Sequence, residues 1–211
     1  PNIFEKERLM KKPIINFRAL DKISSGKIKP IVQKEALRRI REQVREAHRE
    51  MLMNFENHLI TREIDHGPEA NNESGTLGGY GNLFSYIGFE YGSDPIAPVR
   101  KILKKALKIR SLPSPQRSMI MKFEVELPSK EEIFENTPMP WAPGRSWVEG
   151  IERGISGLGK YLKIDSRKGV ASRSGAGLQV KNGPMSGSFR NTKYLSQILN
   201  DLRSSIVRKT K

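Results

Sequence analysis

From Leu37 to Leu59 apolar residues return every three or four positions: Leu37, Ile40, Val44, Ala47, Met51, Phe55 and Leu59. That period puts them on one face of an α-helix. With Pro30 at its start, the pattern predicts a helix over residues 31–59, about 43 Å long at about 1.5 Å per residue. Arg38, Arg41, Arg45 and Arg49 form a second stripe on it, interleaved with Glu35, Glu42, Glu46 and Glu50. A solvated face laced by i,i+4 ion pairs is favoured there over a nucleic-acid stripe.

An apolar helical face must be buried against other elements, and the rest of the chain supplies them in the order β, α, β, short α, α, β-hairpin, α. Leu83–Tyr91 is aromatic-rich and reads as a strand. Asp94-Pro95 reads as an N-cap and first helical position, opening a helix with Ile96, Val99, Ile102, Leu103 and Ala106 inward and Arg100, Lys101, Lys104, Lys105 and Lys108 outward. Residues 119–127 alternate, with Met119, Met121, Phe123, Val125 and Leu127 on one face and Lys122, Glu124 and Glu126 on the other, as a half-buried strand does. Ser129-x-x-Glu132 and Ser146-x-x-Glu149 are capping boxes for two short helices. Between them, Thr137–Gly144 is too rich in proline for regular structure. Residues 154–160 read as a bend and 165–175 as a basic loop. A weak hairpin is expected over 178–189, then a closing helix from about 192 with Leu195, Ile198, Leu199, Leu202 and Ile206 inward. The fold class is therefore α+β: a long amphipathic helix on a small, mainly antiparallel sheet with further helices. Residues 1–30 read as an extended basic arm. Residues 31–211 read as a single domain, with interaction loops at 67–82 and 137–147.

The 211 residues hold 38 basic and 23 acidic side chains, a net charge of +15, unevenly spread. Residues 1–30 carry +5, 31–66 balance, 67–94 carry −4 without one basic residue, 95–127 carry +6, 128–159 carry −2 and 160–211 carry +10. Such blocks suit a polyanion partner, and equally suit subunits docking basic face to acidic face. The basic residues best placed for phosphates are Arg100, Lys101, Lys104, Lys105, Lys108 and Arg110. No run of about 18 apolar residues is present, so no membrane span is expected.

Signals for chemistry are weak. Without cysteine there is no thiol nucleophile and no thiolate metal site. Gly78-Gly79-Tyr80-Gly81-Asn82 lacks the Gly-Lys-Ser/Thr ending of a phosphate-binding loop and lies in the acidic block. A flexible interaction loop is the better reading, with Tyr80 and Asn82 as partner contacts. His58, Glu63, Asp65 and His66 cluster at a helix end, but their spacing matches no common metal motif. Capping and surface polarity explain them better. No Gly-x-Ser-x-Gly elbow exists. No enzyme, cofactor or metal is expected. Trp141 and Trp147 flank Pro143-Gly144-Arg145, either as a loop anchored on the core or as an aromatic–arginine partner contact.

Two stretches carry a resemblance. One is His58-Leu-Ile-Thr-Arg-Glu-Ile-Asp-His-Gly67, continuing through Ser74-Gly-Thr-Leu-Gly-Gly-Tyr-Gly-Asn-Leu-Phe-Ser-Tyr-Ile-Gly-Phe-Glu-Tyr-Gly92. The other is Ser174-Gly-Ala-Gly-Leu-Gln-Val180 with Phe189-Arg-Asn-Thr-Lys-Tyr-Leu-Ser-Gln-Ile-Leu199. Together they resemble virion neck or tail-completion proteins of long-tailed bacteriophages, loosely over about 150 residues. The resemblance implies a ring subunit, sixfold or twelvefold, assembled in the host cytoplasm into the virion. Such a subunit joins the portal/connector to the tail tube or tail terminator and carries no catalytic residues. It gives the Pro/Trp segment 128–160 no role. A basic protein contacting the phosphate backbone without sequence specificity is the alternative.

Overall fold

A computed structural model of the chain describes residues 14–18, 28–77, 81–105, 107–113, 120–140, 142–153 and 192–210. The chain divides into two compact units, one of residues Pro1–Met51, Ala106–Leu127 and Leu199–Lys211, the other of Leu52–Lys105 and Pro128–Ile198. Both helices and antiparallel strands are present, an α+β fold. No helix among the described residues is long and apolar enough to cross a membrane.

The first unit holds a three-stranded antiparallel sheet. Strands β1 (Ile14–Arg18), β2 (Lys108–Leu112) and β3 (Ile120–Glu126) lie in the order β1-β3-β2. Ile14 stands opposite Glu124 and Arg18 opposite Ile120, so five residues of the expected arm are paired on β3. Met121, Phe123 and Val125 are buried, as their alternation predicts. Helix α1 (Ile28–Asn57) enters this unit and buries Ile40, Val44, Ala47 and Met51, as the period predicts; Leu37, expected inside, is half-buried, and Ala36 beside it is buried instead. Helix α7 (Leu195–Lys209) adds Leu199, Leu202 and Ile206. Lys209 ties α7 to α1, its Nζ 3.1 Å from Glu46 and 2.8 Å from Glu50. Ser205 also donates to Glu50.

The second unit is mostly helical. After Asn57 the backbone breaks at His58, where ψ is 132°, and α2 (Leu59–Asp65) follows. The break shifts the helical phase. Leu59, expected inside, is therefore 47% exposed, while Ile60 and Ile64 are buried. A 3-10 turn (Gly67–Glu69) leads into the loop, and α3 (Leu83–Ile87) follows it. This corrects the strand expected at 83–91. Asn82 caps the segment by accepting from the Ser85 amide at 2.9 Å, and Gly88 closes it with a φ of +85° that favours glycine.

Helix α4 (Ala97–Leu103) is shorter than expected. Asp94 does accept from the Ile96 and Ala97 amides, but the chain leaves the helix after Leu103. Lys108, expected on the outer face of the helix, accordingly sits on β2, as does Arg110. Helix α5 (Lys130–Glu135) is capped by Ser129, and α6 (Trp147–Arg153) begins with Ser146 accepting from the Glu149 amide. The segment 137–144, expected to be irregular, instead carries a small hairpin of β4 (Pro138–Met139) and β5 (Ala142–Ser146). Its base is closed by the Thr137 and Ser146 hydroxyls at 2.7 Å and by the Trp147 amide donating to the Thr137 carbonyl. The bend, basic loop and hairpin expected between 154 and 189 lie outside the described residues.

Candidate functional site

Helix α2 organises the loop that follows it. Glu63 is fully buried, and its two carboxylate oxygens accept from the middle of the loop and from the start of α3. Oε2 takes the Ser74 amide at 2.8 Å and Oε1 the Leu83 amide at 2.7 Å. Charge-assisted bonds of this kind are among the stronger ones a protein makes. Asn82 works from the other side, its Nδ2 donating to the Pro68 and Ala70 carbonyls at 2.7 and 3.0 Å. Glu73 meets Arg62 at 3.1 Å and His66 Nδ1 at 3.2 Å. Ser74 and Thr76 share a hydroxyl contact. The described part of a loop expected to be flexible is thus fastened at several points.

The cluster His58, Glu63, Asp65 and His66 is dispersed by these duties. His58 Nδ1 accepts from the Ile60 amide, and burial pushes its imidazole below the ordinary histidine value. Both observations describe a neutral capping ring. Asp65 faces Arg100 and His66 faces Glu73. Among the described residues no three such side chains gather as metal ligands.

Above α2 lies an aromatic cluster. Tyr194 is buried, its hydroxyl 2.7 Å from that of Thr61, its ring 6.4 Å from Phe55 and 4.8 Å from His58. Burial pushes the Tyr194 phenol well above the usual tyrosine range. Trp147 lies 6.5 Å from Tyr194 and meets Phe89 edge-on at 5.8 Å, and Phe89 in turn meets Phe84. Glu152 accepts from the Ser196 amide, capping the first turn of α7.

The expected contact residues fall in different places. Asn82 is buried with its amide occupied, and Trp147 is buried in the aromatic cluster. Arg145 is exposed on β5, next to Gly144 at a φ of +78°. Tyr80 and Trp141 lie outside the described residues.

The basic candidates do not form one surface stripe. Arg100 holds Glu56 with two bonds at 2.8 and 3.0 Å, and Asp65 at 3.2 Å. These bonds, first of all the one to Glu56, raise its pKa further above the usual guanidinium value. Lys105 is bound to Glu132, and Arg110 stands 3.5 Å from Glu126. Lys101, Lys104 and Lys108 are exposed with no partner among the described residues. Lys101 and Lys104 belong to the second unit, Lys108 and Arg110 to the first. Neither Glu63 as the loop's anchor nor the Glu56–Arg100–Asp65 group was readable beforehand, because a carboxylate carries no sequence signal of burial or of a partner 44 residues away.

Comparison with protein-family models, with curated proteins and with solved structures found no match.

Proposed function

We propose that this chain is a non-enzymatic virion structural protein, an oligomeric ring subunit at the head–tail junction of a long-tailed phage. The observation that supports it most is the Thr61–Tyr194 hydrogen bond. It joins the two stretches that carry the resemblance to neck and tail-completion proteins, more than a hundred residues apart. Within the stretches that carry the resemblance, Ile60, Glu63, Leu83, Phe84, Ile87, Tyr194 and Leu195 are all buried, a framework instead of a reactive surface. Glu63 gives both oxygens to backbone amides, a structural duty that leaves neither for catalysis. Exposed Arg145 on the hairpin and the described part of the 67–82 loop are left as the surfaces offered to neighbours.

The test is the oligomeric state of the purified full chain, by mass photometry and negative-stain microscopy over a concentration series. Closed rings, sixfold or twelvefold, are expected, and a variant lacking residues 1–13, which spares β1, should fold yet fail to close them. A monomer throughout the series, or rings indifferent to R145E and to the truncation alike, would overturn this assembly scheme.

A further inference from the structure

Of the arginine stripe of α1, only Arg38 takes the acidic partners expected for it, among the described residues. Arg38 takes Glu35 and Glu42, at 2.8 and 2.7 Å, and Arg39 also takes Glu35. Glu46 and Glu50 are held by Lys209 from α7. Arg41, Arg45 and Arg49 are left exposed with no partner among the described residues. They recur every four residues, so each lies about 6 Å along the axis from the next. Beside them runs an open groove of about 250 Å³ lined by Arg41, Val44, Arg45, His48, Leu107 and Ile109. Its floor is apolar, with Val44 buried and Leu107 and Ile109 half-buried. Arg45, His48 and Arg49 border a second hollow together with Glu42, whose Oε1 is bound to Arg38.

We propose that this arginine-rimmed groove in the first unit binds the phosphate backbone of nucleic acid. A cationic rim over a low-dielectric floor concentrates potential on an anion seated there. Guanidinium forks match phosphate oxygens in pairs. Three of them at regular spacing suit a ladder of evenly spaced charges, and nothing about the groove reads bases, so binding is indifferent to sequence. Lys209 helps to make the surface: it draws Glu46 and Glu50 towards α7 and offsets one of their two charges, so that neither is paired with an arginine of the stripe. The proposal is independent of ring formation, since it is read on the isolated chain.

The experiment is fluorescence anisotropy of the full chain with a short random-sequence duplex across a salt series. Three phosphate contacts at about 0.9 each account for about 2.7 in the log–log salt slope, and for a few-hundred-fold in affinity at about 0.1 M salt. R41Q/R45Q/R49Q should lose that much, while R41K/R45K/R49K, which keeps the charges, should retain most of the slope. K101Q/K104Q, which removes exposed charge from the other unit, should leave the slope nearly unchanged. An unaltered slope in the glutamine variant would overturn the proposal. So would an equal loss per charge in K101Q/K104Q, which would make net charge the cause. Retained duplex binding with lost self-association would overturn it too, because the groove would then serve an acidic protein face.

Discussion

Replacing Glu63 by glutamine tests whether one buried carboxylate pins the middle of the 67–82 loop to the start of α3. Glutamine keeps the size and shape of the side chain but turns one acceptor oxygen into an NH2 donor. Whichever way the amide settles, either the Ser74 or the Leu83 N–H then faces a donor, and the surviving bond loses its charge assistance. A hydrogen bond to a charged group contributes about 1.5–3 kcal/mol, and a buried unsatisfied group costs about 1–3. The loop closure should therefore weaken by about 2–3 kcal/mol. Native-state amide exchange reads this directly, because local opening sets the rate. The Ser74 and Leu83 amides should exchange about 30- to 140-fold faster at about 1.4 kcal/mol per tenfold. Amides of β3 in the other unit should be unaffected. Exchange at both sites within a factor of two of the parent would refute the assignment of Glu63 as the loop's anchor.

Two further outcomes follow from the same geometry. Y194F strands the Thr61 hydroxyl and T61V strands the Tyr194 hydroxyl, each costing about 1–3 kcal/mol in denaturant midpoint; the double variant should fall short of their sum by about 1 kcal/mol or more, and strict additivity would show the bond to be idle. Glu35 is held down to about 2, chiefly by its hydrogen bond to Arg38 and next by that to Arg39. The bracing it gives α1 is therefore fully present above its ordinary value of 4.5 and lost as pH falls from there through about 2. Amide exchange around residues 35–42 should quicken over that window, and an E35Q variant that responds to acid identically would show that the pairs do not brace the helix.

The elements whose side chains divide into an inside and an outside were legible in the sequence. The buried faces of α1 and α7 and the alternation of β3 come straight from their periods, and Ser129 and Ser146 cap the helices their spacing announced. Helix α3 was misread because all five of its residues are buried, which leaves no period to distinguish helix from strand. The signal that survives is its punctuation, Asn82 before and Gly88 after. Lys108 falls outside its expected helix for a related reason: basic residues continue across the end of α4, and their spacing cannot show where the helix stops. The arginine stripe illustrates a different limit. Local pairing was sound for Arg38, but Glu46 and Glu50 found a partner more than 150 residues away, and only tertiary structure reveals which of two competing cations a glutamate takes.

The first unit is assembled from three separated stretches of chain, the third being residues 199–211. During synthesis α1 and β1 leave the ribosome early, yet their unit stays incomplete until Leu202, Ile206 and Lys209 have been made. Contacts of such long sequence separation slow folding, because the intervening loop must be closed before they return any stability. The second unit is interleaved with the first, so folding cannot proceed strictly from one end of the chain to the other. A nascent chain halted a dozen residues early would lack the apolar residues Leu202 and Ile206 that complete this unit, and would free Glu46 and Glu50 to compete for Arg45 and Arg49. Truncated products should thus be both prone to aggregate and blunted in their attraction for polyanions.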